Sequence, residues 1–251
     1  MKRVFSFACL ALLAMSMAPA QAQEGGQPAL YTYVAEWAVP REQWRDYVKA
    51  SADEKVAMDK LVADGTIIGY GDFSILLHQE GRPTHGSWFT ATSRAGLLNA
   101  LDALYKLPQV TFPVMAASKH WDFLTVSRMY GMKSGKFQGG YLGGGTFEVK
   151  PGGMGAYMEI TKKHIVPVME KLKNEGVVTL YSIETEDFHM LTPGTVSFVY
   201  VTPEASGIDK VSDAIEAALT GHPAMDAAFR ASADREKHRD FLARVGNMVN
   251  K

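Results

Sequence analysis

Apolar side chains fall on every second position of residues 31–39: Tyr31, Tyr33, Ala35, Trp37 and Val39 alternate with less apolar neighbours, the period of a half-buried strand. From Trp44 the period changes. Trp44, Tyr47, Val48, Ser51, Met58, Leu61 and Val62 follow helical spacing as far as Asp64-Gly65, where Gly65 suits a helix C-terminus. Thr66 to His78 and Thr84 to Thr92 read as two strands joined by the turn Glu80-Gly81-Arg82-Pro83. A second helix is expected from Arg94 to Lys106 and a last strand from His120 to Tyr130, so the order is β-α-β-β-α-β.

The same grammar then returns. A strand is expected over Tyr141 to Val149, a helix over Gly153 to Glu175, strands over Val177 to Met190 and Thr195 to Thr202, and a closing strand over Asp240 to Val249. Thr202-Pro203-Glu204 predicts the start of the next helix, with Thr202 as cap and Pro203 in its first turn. Identities follow the grammar. Lys119-His120-Trp121-Asp122-Phe123-Leu124 recurs as Lys237-His238-Arg239-Asp240-Phe241-Leu242, five of six positions at a shift of 118. Met58-Asp59-Lys60-Leu61 matches Met169-Glu170-Lys171-Leu172, Tyr70 matches Tyr181 and His78 matches His189, all at 111. A duplication of this size sets the architecture before any single motif does. Repeats over 30–130 and 141–251 are expected, joined by a Gly-rich linker at 131–140, with about eight extra residues before the final strand.

A duplicated split β-α-β unit with a long amphipathic first helix resembles the dimeric α+β barrel superfamily of ferredoxin-like folds. The resemblance rests on element order and on the repeat over nearly all of residues 30–249. It implies an α+β chain whose two antiparallel sheets pack as a barrel, with the inner face holding a ligand. It implies either a monomer with pseudo-two-fold symmetry or a homodimer. The activities it brings into view are cofactor-independent oxygenases, isomerases and haem proteins.

The N-terminus reads as an export signal: Lys2 and Arg3, an apolar stretch from Val4 to Met17, and Ala20-Gln21-Ala22 with cleavage expected after Ala22. A periplasmic or secreted protein is expected, with a short tail at 23–29 and no membrane anchor after cleavage. Cys9, the only cysteine, lies inside the signal, which leaves no thiol for disulfides, thiolate catalysis or metal ligation. Removing the signal leaves 24 basic against 27 acidic residues, both signs interspersed, so no nucleic-acid partner is expected. The glycines at 143–145 and 152–153 lack the lysine and hydroxyl pair of a phosphate loop.

Candidate chemistry rests on histidine. His120 and His238 each stand two residues before an aspartate, on one strand face, so the carboxylate can orient the imidazole. The competing reading is a scaffold role, since the pair survives in both halves. His78 and His189 are a second matched pair near strand ends, either interior or exposed. His164 lies on the long helix of the second half. The resemblance makes it the one haem-ligand candidate, because the chlorite dismutase and dye-decolorising peroxidase families present an axial histidine from a helix. No metal-ligand spacing and no G-x-S-x-G motif is visible, and no cofactor is otherwise predicted. Strand aromatics are abundant, and one strand face could line a cavity with Tyr70, Tyr181, His120 and Arg128 as its polar groups. The opposite reading is two sheets packed without a void. Two functions follow: binding of a small hydrophobic or aromatic molecule, with a monooxygenase-like or isomerase-like reaction using His120 or His238 as base, or a non-catalytic protein whose sheets serve dimerisation.

Overall fold

The computed structural model describes residues 27–106, 113–188 and 192–251. The segment read as an export signal, most of the 23–29 tail and His189 lie outside the described residues. Nine strands alternate with helices: β1 (Leu30–Ala38), α1 (Trp44–Ala63), β2 (Gly69–Ile75), β3 (His85–Ala91), α2 (Arg94–Tyr105), α3 (Pro113–Ala117), β4 (Lys119–Met132), β5 (Gly135–Gln138), β6 (Tyr141–Val149), α4 (Met154–Ile160), α5 (Val166–Asn174), β7 (Leu180–Glu186), β8 (Thr195–Thr202), α6 (Ser206–Thr220), α7 (Pro223–Ser232) and β9 (Ala233–Asn250). No described helix is long and apolar enough to cross a membrane.

The strands pair in the order β2-β3-β1-β4-β7-β8-β6-β9, and a β2–β9 pairing closes the circle into an eight-stranded antiparallel barrel. Two long strands make closure possible. β4 pairs with β1 through its first part and with β7 through its last, from Thr125 to Met132. β9 does the same with β6 and then β2. Closure leaves these strands no free edge to template aggregation. β5 falls inside the segment read as a linker: it is a strand lying on the C-terminal end of β9, beyond β6.

One mapping relates the two halves of the barrel. Tyr33 faces Phe89 and Leu124, while Gly143, 110 residues on, faces Tyr200 and Leu242. Ser127 faces Glu184, and Val245 faces Phe73. The register breaks between Ser127 and Met129 in one half and opposite Gly71 and Phe73 in the other, so even the bulges correspond.

The helices cover the outside of the barrel in two layers. Met58, Leu61 and Val62 of α1 and Leu97 and Ala100 of α2 pack on Tyr70, Phe89, Ala91 and Val249. Tyr157, Met169, Leu172 and Val211 pack on Val149, Tyr181, Ile183 and Val196. A third cluster, including Phe73, Trp88, Leu142, Ala243, Val245 and Met248, lies within the barrel.

Local sequence explains the ends. Ser93 accepts the Gly96 amide at 3.0 Å and starts α2. Gly65 and Gly176 end α1 and α5 with φ of 84° and 83°, a conformation costly to any residue with a Cβ. The expected long second-half helix is divided by a π turn at Thr161–Ile165, just before Pro167, which lacks the N–H to continue the ladder. The expected Thr202 cap is not formed. Thr202 is fully buried, donates to the Glu204 carbonyl at 2.9 Å, and α6 begins only at Ser206. The extra residues before the last strand form α7, where the described residues of the first half form the five-residue α3.

Candidate functional site

Strand side chains alternate, so each barrel strand sends one phase under the helices and the other into the barrel. On β1 the phase Tyr31, Tyr33, Trp37 faces the helices, and Leu30, Thr32, Val34 and Glu36 face inward. β7 supplies Leu180, Ser182, Glu184 and Glu186, and β4 supplies Phe123, Thr125, Ser127, Tyr130 and Met132. With Phe73, Trp88, Thr90, Leu142, Thr146, Ser197, Val199 and Phe241 they line a cavity of about 230 Å³. Drug-sized pockets start near 300 Å³, so this one suits a ligand of one or two rings.

The walls carry Trp88, Phe73, Phe123 and Phe241 beside polar residues that include Glu36, Glu186, Thr146 and Ser197, and hydroxyls cluster about one carboxyl. There Glu184, 8% exposed, accepts the Thr125 hydroxyl at 2.8 Å, beside Ser127 and Ser182, whose oxygens are 2.6 Å apart. Thr32 and Thr90 hydroxyls meet at 2.9 Å near by. Burial pushes the Glu184 carboxyl up, against hydrogen bonds from Thr125, Ser182 and Ser127 that pull it down. Burial likewise raises Glu36 from 4.5 to about 6. A carboxyl in that range gives or takes a proton near neutral pH, while a buried neutral one donates a hydrogen bond to a ligand.

The mapping between halves shows that this polarity is not required by the fold. Phe73 occupies the place of Glu184, Gly71 that of Ser182, Val245 that of Ser127, and Ala243 that of Thr125. That second pole is filled by Phe73, Trp88, Val201 and Met248. Gly71 is small because the Trp88 ring lies 2.3 Å from where a Cβ would sit.

The residues singled out from sequence fall elsewhere. Tyr70 donates to Asp59 of α1 at 2.9 Å and Tyr181 to Glu170 of α5 at 2.7 Å, the same link in each half. Burial, then the facing carboxylate, raises both phenols. Tyr181 borders the cavity but turns its hydroxyl away from it, and Tyr70 does not line it. Arg128 is exposed, at the bulge, and is not among the lining residues. His120 and His238 sit on the outer face in different halves. His120 Nε2 is 2.8 Å from Asp122 and stacks on Trp37 at 3.6 Å. His238 Nε2 is 2.9 Å from Asp240 and stacks on Phe147 at 4.3 Å. In the first half Tyr33 also donates to Asp122. Desolvation lowers His120, partly countered by Asp122.

His78 is exposed, its ring 4.9 Å from Trp44. His85, with no sequence counterpart, is buried against Trp44 and Tyr47 and held down to about 4 by desolvation. His164 lies on the π turn of the helical layer, 4.9 Å from the ring of His222. Among the described residues no histidine or cysteine lines the barrel cavity, and no group of three side chains could hold a metal ion. His164 thus stands apart from the described lining of the cavity, which supplies no histidine to a haem iron.

Glu36 and Glu184 escaped the sequence reading. Their signal was a charge at inward positions of strands whose same phase carries Leu30 and Val34, or Leu180 and Ser182.

No protein-family model matches the sequence, and no curated protein matches it. Solved structures match over nearly the whole chain. A protein of Lactobacillus acidophilus, provisionally named a monooxygenase, superposes with a TM-score of 0.63 at 10% identity, covering 89% of this chain and 97% of its own. A Fusobacterium nucleatum protein, also provisionally named a monooxygenase, gives 0.59 at 13%, covering 89% and 94%. A provisionally named chlorite dismutase gives 0.53 at 12%, covering 87% and 95%. These structures share the fold of the chain, a closed antiparallel barrel covered by helices. Here one chain supplies all eight strands. At these identities the likeness carries the fold and not an activity.

Proposed function

We propose that this chain is an exported protein that binds a small, mainly apolar molecule inside its barrel. The observation that carries the reading is the cavity of about 230 Å³ inside the barrel, with aromatic side chains in its walls and a polar pole built on Glu184. Burying a carboxyl costs stability even where hydroxyls donate to it, and a purely structural barrel gains nothing from that cost. The reading includes a tandem origin: two ferredoxin-like repeats, over 30–130 and 141–251, of which only one pole became polar. It also includes removal of residues 1–22 and release to the periplasm or exterior. The superfamily likeness to provisionally named monooxygenases is in keeping with a small organic ligand.

The test is saturation-transfer NMR with benzyl alcohol as probe. Transfer is expected for the native protein and is lost in Leu142→Trp and in Val34→Phe, which fill the cavity from β6 and β1. Equal transfer in the plugged variants, with melting curves kept, places the ligand elsewhere and overturns the reading.

A second reading rests on the two His–Asp pairs, each stacked on an aromatic ring. In it His120 or His238 is the base of a monooxygenase-like or isomerase-like reaction on a substrate held under the helices. The double variant His120→Ala, His238→Ala then loses turnover while folding normally. Unchanged turnover removes both histidines from the mechanism.

A further inference from the structure

Six polar side chains gather at one pole of the barrel cavity and line it: Thr32, Thr90, Thr125, Ser127, Ser182 and Glu184. In the other half of the barrel every one of these places is apolar or glycine. Phe73, Gly71, Val245 and Ala243 replace the last four, and the facing pair Leu142 and Val201 replaces the facing pair Thr32 and Thr90. The same strands pair without the hydroxyls and the carboxyl, so their convergence on one pole belongs to the site and not to the barrel.

We infer that the ligand of this cavity is a neutral carbonyl compound, a small aryl ketone or aldehyde whose oxygen accepts hydrogen bonds at this pole. The inference rests on the barrel-binding reading above and deepens it. The ring of such a ligand lies against Trp88, Phe123 and Phe241, which line the same cavity.

The carbonyl follows from where the protons of the pole go. Thr125 spends its proton on Glu184 at 2.8 Å. Ser127 and Ser182 share one proton across 2.6 Å, and their second is shared with Glu184. Thr32 and Thr90 share one across 2.9 Å, which leaves that pair a second proton with no acceptor among the described residues. Burial raises the Glu184 carboxyl toward its neutral form, against the hydrogen bonds from Thr125, Ser182 and Ser127. A neutral carboxyl adds an O–H donor of its own. The pole thus has donors to spare on two sides. A carbonyl oxygen accepts two donors on its two lone pairs and brings no proton in return. An alcohol accepts the same donors but carries a further proton that needs an acceptor, and a hydrocarbon leaves the donors unsatisfied, which is costly where water is excluded.

The experiment compares three probes of similar shape, acetophenone, 1-phenylethanol and ethylbenzene, by titration calorimetry with the whole protein at neutral pH. Acetophenone is expected to bind roughly tenfold tighter than ethylbenzene, the worth of a buried hydrogen bond or two, and severalfold tighter than 1-phenylethanol. Isotope-edited infrared spectra of carbonyl-labelled acetophenone are expected to place the bound carbonyl stretch below its position in toluene. Glu184→Leu shrinks the preference over ethylbenzene severalfold and moves the stretch toward the toluene position, while ethylbenzene affinity is kept, which shows that the barrel is intact. Glu184→Gln keeps a donor at the same place and retains most of the preference. Equal binding of 1-phenylethanol and acetophenone, a bound stretch at the toluene position, or a Glu184→Gln variant as impaired as Glu184→Leu overturns the carbonyl inference and leaves the barrel-binding reading standing. Binding by none of the three probes overturns both.

Discussion

Glu36 gives the sharpest energetic test of the inward strand phase. Its carboxyl is raised by burial from 4.5 to about 6, and burial is the only cause. The native state therefore holds its proton more tightly than the unfolded chain. Below pH 4.5 the carboxyl is neutral in both states and has no effect on stability. Between pH 4.5 and 6 the unfolded state ionises first, and stability falls as pH rises. Above pH 6 both states are ionised and the loss is complete. At 1.36 kcal/mol per unit, a shift of about 1.5 units corresponds to about 2 kcal/mol. Glu36→Gln removes the ionisation at nearly constant shape. Urea unfolding at half-unit steps from pH 4 to 8 is expected to show the variant matching the native protein at pH 4 and exceeding it by roughly 2 kcal/mol at pH 8. A difference that does not change with pH, or a variant less stable at pH 8, refutes the placement of Glu36 in a desolvated interior.

Phe73→Ala opens the filled pole, is expected to cost roughly 3–5 kcal/mol in chemical denaturation, and lets a two-ring probe enter the barrel; a cost under about 1 kcal/mol means the pole is not packed. Gly144→Ala puts a Cβ 2.3 Å from the Phe198 carbonyl oxygen, so thermal unfolding drops by several degrees, and an unchanged midpoint contradicts the β6–β8 register. Tyr70→Phe and Tyr181→Phe each remove the hydroxyl link to the covering helix and are expected to lose about 1.5 kcal/mol by denaturant melts. Matching losses support equivalent roles in the two halves, whereas a loss in one alone separates them.

The barrel architecture was legible because periodicity and repeat both speak directly to it. Element order emerged from alternating runs such as Tyr31–Val39 and from helical runs such as Trp44–Val62, and the His–Asp proximity followed from the i, i+2 rule. The site was less legible for a reason of phase. The aromatic phase of the strands, with Tyr33, Tyr70 and Tyr181, drew the reading toward a cavity, yet those residues anchor helices. The opposite phase, with Glu36 and Glu184, was not singled out, because alternation along one strand does not say what its second face meets. Only closure of β2 on β9 turns that face inward, and closure depends on pairings between residues nearly 180 apart, such as Gly71 with Met248. Sequence pattern carries no sign of such a contact. The Thr202 cap failed through tertiary override, since burial against Gly207 outranked a local preference.

A crystal structure of the protein with 4-bromobenzyl alcohol tests the central claim most directly, because bromine marks the ligand by its anomalous signal. The account predicts one bromine peak inside the barrel among Trp88, Phe123 and Phe241, with the hydroxyl toward Glu184. A peak under the helices beside His120 or His238, with the barrel empty of ligand, contradicts it.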